Sequence, residues 1–168
     1  MSWEPDPGQL QQVCEMLNVL SLDPTHPAYR QTEQQVGQEL GNPAFVMHLC
    51  FVFASLTPDN VPNNIRQLAG LVLKQVVKNQ WNAHPPEVQA FFRAQMLQAS
   101  GDMHSHEVRQ AASNVITTIA SFTRLEEWPE LMPTLIAKLD SAQVHLLPSL
   151  PAFPRLLSTL PFLPFILS

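Results

Sequence analysis

The stretch IRQLAGLVLKQVVKNQW, residues 65–81, decides the fold of this chain. Its apolar residues recur at intervals of three and four, which is the spacing of a helix that buries one side against a core. The Arg-Gln pair that opens it at Arg66 stands 36 residues earlier at Arg30 and 43 residues later at Arg109. Apolar positions follow each copy in the same register. The stretch is therefore interpreted as one unit of an internal repeat.

Each repeat contains two helices, because the segment before each Arg-Gln helix also keeps register with its counterpart. A displacement of 36 residues places Cys14 on Cys50 and Leu17 on Phe53, and a displacement of 43 places Phe53 on Met96. Two-helix periods of this length are typical of HEAT or armadillo arrays, in which neighbouring pairs complete one another's core. The sequence predicts an all-α solenoid with helices at about 8–21, 27–40, 43–56, 62–79, 86–99, 105–122 and 127–140.

Composition limits the possible functions. With 168 residues, of which 45% are hydrophobic, the chain can bury a sizeable core. Nine Lys and Arg against fourteen Asp and Glu give a net charge of −5, which argues against direct nucleic-acid binding because phosphate contacts need a basic surface. Cys14 and Cys50 stand in apolar runs and are predicted to be free thiols in a reducing compartment. The start of the chain does not resemble a secretory signal.

The sequence lacks motifs for catalysis or cofactor binding. It has no Gly-rich phosphate loop, nucleophile elbow or paired-cysteine motif, so neither an enzymatic activity nor a cofactor is predicted. His104 and His106, with Asp102 and Glu107 nearby, could indicate a metal site, but a short cluster without helical His spacing is a weak signal. The favoured interpretation is a polar loop without a metal, with Ser105 as the N-cap of the next helix.

Arg30, Arg66 and Arg109 stand near the starts of the second helices of the three pairs, where the helix dipole does not favour a cation. One interpretation is that each guanidinium pairs with a carboxylate or a carbonyl of the adjoining repeat, which suits its rigid fork of donors. The alternative is that these arginines contact a partner protein directly.

Three segments carry a resemblance to a known family. They are WEPDPGQLQQVCEMLN near the start, the stretch at 65–81, and VRQAASNVITTIASFTRLEEWPELMPTLIAKLDS from residue 108 onward. Together they resemble the amino-terminal region of importin-β type nuclear transport receptors, and within these the transportin (karyopherin-β2) branch, over residues 3–141. The resemblance implies a HEAT superhelix of which this chain holds the first three pairs and one further helix.

The resemblance also implies a function. Such receptors shuttle between cytoplasm and nucleus, carry cargo through nuclear pores, and release it when the GTP form of the small GTPase Ran binds their amino-terminal repeats. Because cargo is held mainly by a carboxy-terminal arch that this chain lacks, Ran binding is the expected activity here, with nuclear pore proteins and import cargo as partners of the full-length parent. Two alternatives stay open, a HEAT scaffold that does not bind Ran and a nonfunctional truncated gene product.

The family resemblance assigns the predicted Ran contacts. Lys74 matches the lysine of the family's Leu-Lys-Asn element, Gln75 stands in place of its asparagine, and Lys78 lies one turn further along. The two lysines repel each other modestly at this spacing, and an acidic surface on a partner would offset this repulsion. The alternative is that both lysines are simply solvated and contact no partner. By repeat equivalence, the predicted site also includes Gln34, Gln38 and Thr117.

The chain is predicted to divide into a repeat region, 1–140, and a divergent Pro/Leu-rich tail, 141–168. Five prolines in the tail exclude the second helix of a fourth pair, and together with Arg155 they argue against membrane insertion. The favoured hypothesis is that the reading frame leaves the family's coding sequence near residue 141, through an unspliced intron, an alternative exon or a gene-model error. The broken end is predicted to be covered loosely by the tail or to self-associate.

Overall fold

The computed structural model describes residues 3–22 and 24–146. Within them it contains seven α-helices and no β-strand, which confirms the prediction of an all-α HEAT-type solenoid. One compact unit extends to Leu131, and a second begins at Met132. The predictions for the tail beyond residue 146 lie outside the described residues.

The helices are α1 (Pro7–Leu20), α2 (Pro27–Glu39), α3 (Pro43–Ala54), α4 (Asn63–Gln80), α5 (Pro86–Ala99), α6 (His106–Phe122) and α7 (Leu131–Leu146), with 3-10 turns at Trp81–Ala83 and Leu125–Glu127.

Proline and short polar side chains set where the helices begin. Proline occupies the first position of α1, α2, α3 and α5, where its missing N–H would have no intrahelical acceptor in any case. Asp6 Oδ1 caps α1 by accepting from Gln9 N at 2.8 Å. Ser105 Oγ accepts from Val108 N at 3.2 Å, which confirms the predicted N-cap of α6. With these local signals, the first six helices lie within two residues of their predicted bounds.

The seventh helix differs from its predicted bounds, 127–140. The chain makes a 3-10 turn at Leu125–Glu127, buries Trp128, and starts α7 only at Leu131. Pro133 then falls in the first turn of α7, where the N–H groups have no intrahelical acceptor, so the proline is tolerated there. A helix that began at 127 would have placed this proline in its interior and lost a hydrogen bond.

The helices of the first unit form two layers. α1, α3 and α5, the first helices of the three pairs, pack side by side, and each also packs on the second helix of its own pair. Among the second helices, α4 and α6 are in extensive contact, whereas α2 packs mainly on α1. The pairing confirms that the displacements found in the sequence mark repeated helix pairs.

The close approach of α4 and α6 depends on Gly70. A Cβ at this position would lie 2.7 Å from a ring carbon of Phe53 and 3.1 Å from the Cβ of Ala111, so a larger side chain would force these neighbours to move. The core continues on both sides of this contact. Its fully buried members include Leu49, Val52, Phe53, Ala69, Leu73, Val76, Met96, Ala112 and Ile119.

Candidate functional site

The solvent side of α4 carries two of the residues that the sequence singles out. Gln67, Leu71, Lys74 and Lys78 follow one another at intervals of four, three and four, so they share one side of the helix. The other sides of α4 face α3, α6 and a groove next to α2. Leu71 is 54% exposed, Lys74 is half-buried, and Gln67 and Lys78 are exposed. These four residues are called the α4 stripe.

The α4 stripe is positively charged. α4 contains no Asp or Glu, and the third cation on the helix, Arg66, is buried away from the stripe. Neither Lys74 nor Lys78 forms a hydrogen bond or an ion pair with another residue that the structure describes. Lys78 stands in the last turn of α4, where a cation is also favoured by the helix dipole. Both ammonium groups are thus available to a partner.

An open groove between α2 and α4 borders the stripe. It has a volume of about 290 Å³, and its walls are mostly apolar. It exists because α2 packs mainly on α1 and leaves the adjoining side of α4 uncovered. Burial of this apolar surface by a partner side chain would make the free energy of binding more favourable. The residues that line the groove are Leu20, Tyr29, Glu33, Val36, Gly37, Leu40, Leu68, Leu71, Val72 and Gln75.

The predicted contacts do not all lie together. Lys74 and Lys78 belong to the stripe, and Gln75 lines the groove beside it. Gln34 and Gln38 are exposed on α2, but each follows a groove-lining residue by one position and is therefore rotated about 100° away from the groove. Only the three α4 residues of the predicted set thus share one surface region.

Thr117 is exposed on α6, but its hydroxyl is already engaged. Thr117 Oγ1 donates to Ser113 O at 2.9 Å, and Thr118 Oγ1 donates to Asn114 O at 2.7 Å. Ser113 Oγ donates in the same way to the carbonyl four residues earlier. Such bonds to the preceding turn leave the aliphatic part of the side chain facing solvent. A partner that approaches this part of α6 therefore meets hydroxyls that have no free proton.

The repeated arginines have different environments. Arg66 is 1% exposed; its guanidinium forms an ion pair with Asp102 and donates to Phe53 O at 3.1 Å. Because Asp102 belongs to the third pair, this confirms for Arg66 the predicted bond to the adjoining repeat. Arg109 donates to Asp102 O at 2.7 Å, within its own pair. Arg30 is exposed and has no hydrogen bond or ion pair with any residue that the structure describes.

Asp102 organises the turn that leads into α6. Burial acts to raise the pKa of its carboxyl group, but hydrogen bonds from Arg66 and from the backbone N–H groups of His104 and Ser105, together with the charge of Arg66, hold this pKa below its usual value. Both backbone donors lie 2.8 Å from Oδ1. The carboxylate is therefore satisfied within the fold.

Neither a metal centre nor a spanning helix is found in the part of the chain that the structure describes. There, no three His, Cys, Asp or Glu side chains come close enough together to hold a metal ion. Over the same residues, none of the helices combines the length and the apolar character needed to cross a bilayer.

The groove is the feature that sequence reasoning missed. Leu68, Leu71 and Val72 give α4 an apolar side in addition to the sides that face α3 and α6. When a helix has apolar residues on a side that no neighbouring helix covers, a further contact is indicated. The apolar residues could be read from the sequence, but the separation of α2 and α4 that opens the groove could not.

Comparison with known proteins gives consistent matches. Residues 33–102 match the family described as Importin-beta N-terminal domain. The chain is 36% identical to Transportin-1 of Mus musculus and of Homo sapiens over 139 residues, which cover 83% of this chain and 15% of each relative. It is 31% identical to Transportin of Dictyostelium discoideum over 143 residues, which cover 83% of this chain and 14% of that relative.

The chain therefore belongs to the importin-β family, and it contains the amino-terminal domain of that family. Within the family it is similar to the transportins, as the resemblance in its sequence predicts. It spans 15% of the length of Transportin-1. The whole α4 stripe lies inside the matched domain.

Proposed function

We propose that this chain is the amino-terminal part of a nuclear import receptor and that its α4 stripe, with the adjoining groove, binds the small GTPase Ran in its GTP form. The observation that carries the proposal is the juxtaposition of two unpaired lysines, Lys74 and Lys78, with an exposed leucine and an apolar groove. This surface lies within the importin-β amino-terminal domain. The similarity to transportins supports the choice of partner.

The geometry defines what the partner surface has to offer. Lys74 and Lys78 require a carboxylate or another hydrogen-bond acceptor on the partner, because removing an ammonium group from water without such an acceptor costs much free energy. The groove requires one apolar side chain that enters beside Leu71, and Gln75 can then bond to the partner backbone. A central apolar anchor flanked by charged groups is the usual arrangement of an energetically important contact region.

The similarity to transportins also supports a proposal for the wider role. We propose that the parent protein shuttles between cytoplasm and nucleus and engages nuclear pore proteins and import cargo through regions outside this chain. The chain itself is proposed to act by binding and not by catalysis, without a cofactor and without direct contact to nucleic acid. The net charge of −5 is consistent with a protein partner.

The test is a titration of the full chain with Ran loaded with a non-hydrolysable GTP analogue, beside Ran bound to GDP. We expect binding to the GTP form to be at least about tenfold tighter, which corresponds to about 1.4 kcal/mol. Lys74→Glu is expected to weaken this binding by about tenfold or more and to reduce its dependence on salt. Leu71→Gln tests the groove separately and is expected to weaken binding without changing the salt dependence.

Arg124→Glu is the matched control. Arg124 is exposed in the segment after α6 and undergoes the same change of charge, so it corrects for the altered net charge of the chain. Circular dichroism has to show that each variant keeps its helices. Equal binding of both nucleotide forms would instead indicate a HEAT scaffold without Ran specificity, and equal weakening by Lys74→Glu and Arg124→Glu would move the contact away from the α4 stripe. A chain that does not accumulate as a folded protein would be a nonfunctional truncated product.

A further inference from the structure

Gly37 stands inside α2, although glycine is a poor helix former. Its backbone does not lie in the left-handed region that favours glycine. In the part of the chain that the structure describes, a Cβ at Gly37 would meet nothing within 4 Å beyond its chain neighbours and the backbone of its own helix. Gly70 on α4 differs, because a Cβ there would lie 2.7 Å from the ring of Phe53. Packing within the chain therefore explains Gly70 and does not explain Gly37.

Gly37 lies on the side of α2 that faces the groove. Glu33, Val36 and Leu40 line the same groove, and their spacing around Gly37 places all four residues on one side of the helix. Gly37 is exposed. Because it has no side chain, the α2 wall of the groove is bare backbone at this point, and an atom from outside can approach it closely.

Two properties of the groove indicate what fills this space. Its volume of about 290 Å³ lies at the lower limit of about 300 Å³ for pockets that hold small molecules, so a side chain from a protein surface suits it better. The positively charged α4 stripe borders the groove through Leu71, so the complementary surface carries acidic groups beside an apolar side chain. We infer, on the basis of the proposed function, that an apolar side chain of Ran in its GTP form packs directly on the α2 backbone at Gly37. Gly37 is thus a specificity-determining residue of that contact.

The first test is a titration of full-chain variants with Ran loaded with a non-hydrolysable GTP analogue. Gly37→Leu fills the groove from the α2 side and is expected to weaken binding at least about tenfold, because the added side chain overpacks the contact. Gly37→Ala is expected to weaken binding less. The same Gly37→Ala change should raise the melting temperature of the free chain by about 1–4 °C, since its Cβ meets open space and alanine favours the helix. Weaker binding by a more stable chain does not come from a damaged fold.

Gly41→Leu is the matched control. Gly41 is exposed just after α2, does not line the groove, and offers a Cβ the same open space among the described residues. This variant is expected to bind Ran within about twofold of the unsubstituted chain. If Lys74→Glu weakens Ran binding but Gly37→Leu weakens it no more than Gly41→Leu does, the inference is overturned and the proposed function stands. If the folded, unsubstituted chain does not bind Ran at all, both are overturned.

A labelling experiment tests for direct contact. Gly37→Cys and Gly41→Cys are labelled with a water-soluble maleimide, and the unsubstituted chain gives the background from Cys14 and Cys50. Ran in its GTP form, at about a hundred times its Kd, is expected to slow labelling of Gly37→Cys at least about tenfold, because only the free chain reacts. Labelling of Gly41→Cys should not change. Equal labelling of Gly37→Cys with and without Ran would overturn the inference, and so would protection without Ran that grows with chain concentration, because a second copy would then fill the groove.

Discussion

Removal of the Asp102 carboxylate by Asp102→Ala is expected to be among the most destabilising single changes in this chain. Arg66 is 1% exposed and keeps only neutral acceptors, Phe53 O at 3.1 Å and Asn63 Oδ1 at 3.2 Å, once the carboxylate is gone. The turn before α6 also loses the acceptor of two backbone N–H groups. Breaking a buried ion pair by removing one partner costs about 3–5 kcal/mol. This is a large share of a total stability of about 5–15 kcal/mol.

The assay is urea denaturation of the full chain followed by far-ultraviolet circular dichroism, with linear extrapolation to water. Asp59→Ala, on an exposed loop, is the control and is expected to change stability by no more than about 0.5 kcal/mol. Asp102→Asn keeps a neutral acceptor for the turn and is expected to be less destabilising than Asp102→Ala. The difference in stability between Asp102→Ala and Asp102→Asn measures what the hydrogen bonds of the turn contribute, apart from the charge of the carboxylate.

A double variant provides the sharpest check of the reasoning. If the main effect of Asp102→Ala is an uncompensated buried guanidinium, then adding Arg66→Met removes the charge and restores part of the stability. The physical account is refuted if Asp102→Ala changes stability no more than Asp59→Ala does. It is also refuted if the double variant is less stable than Asp102→Ala, because the buried charge would then not be the cause.

Three further outcomes are expected. Gly70→Ala should lower the melting temperature, because overpacking against buried Phe53 costs about 1–3 kcal/mol and outweighs a gain in helix propensity of about 1 kcal/mol; thermal unfolding measures the net sign. Cys50 should react far more slowly with a thiol reagent than Cys14, because complete burial raises the pKa of its thiol well above the usual value whereas Cys14 is only partly buried; mass spectrometry of partly labelled protein reports both sites. Because the folded pKa of Asp102 is lowered, its contribution to stability is present above about pH 4 and is lost as the pH falls through that folded value; Asp102→Asn should flatten this part of a stability profile.

Most of the fold could be predicted because its signals are local. Pro27, Pro43 and Pro86 mark helix starts through chemistry within one turn. Apolar spacing of three and four reveals which side of each helix is buried. The start of α7 was predicted less well. Residues 125–130 could form a 3-10 turn or the first turn of an earlier helix, and the burial of Trp128 against other parts of the chain favours the 3-10 turn.

The sequence singled out part of the candidate surface, and the role of its residues as Ran contacts stays a prediction. The structure leaves Lys74 and Lys78 without an intramolecular partner among the residues it describes. Gln34 and Gln38 were included by analogy between repeats, and they lie on a different surface because α4 packs against both α3 and α6 whereas α2 packs mainly on α1. Equivalent positions in two repeats both lie on helices, but the helices that surround them can differ.

The sequence by itself determined that this chain forms repeated helix pairs, where the first six helices lie, and to which family it is similar, since helix spacing, capping and motif order are properties of short segments. Tertiary structure alone decided that Arg66 reaches Asp102 in the next pair and that an apolar groove opens between α2 and α4. Both depend on distances between helices that are far apart along the chain. The distance between α4 and α6, for example, depends on how Phe53 and Ala111 fit against Gly70, and no short window of sequence contains that fit.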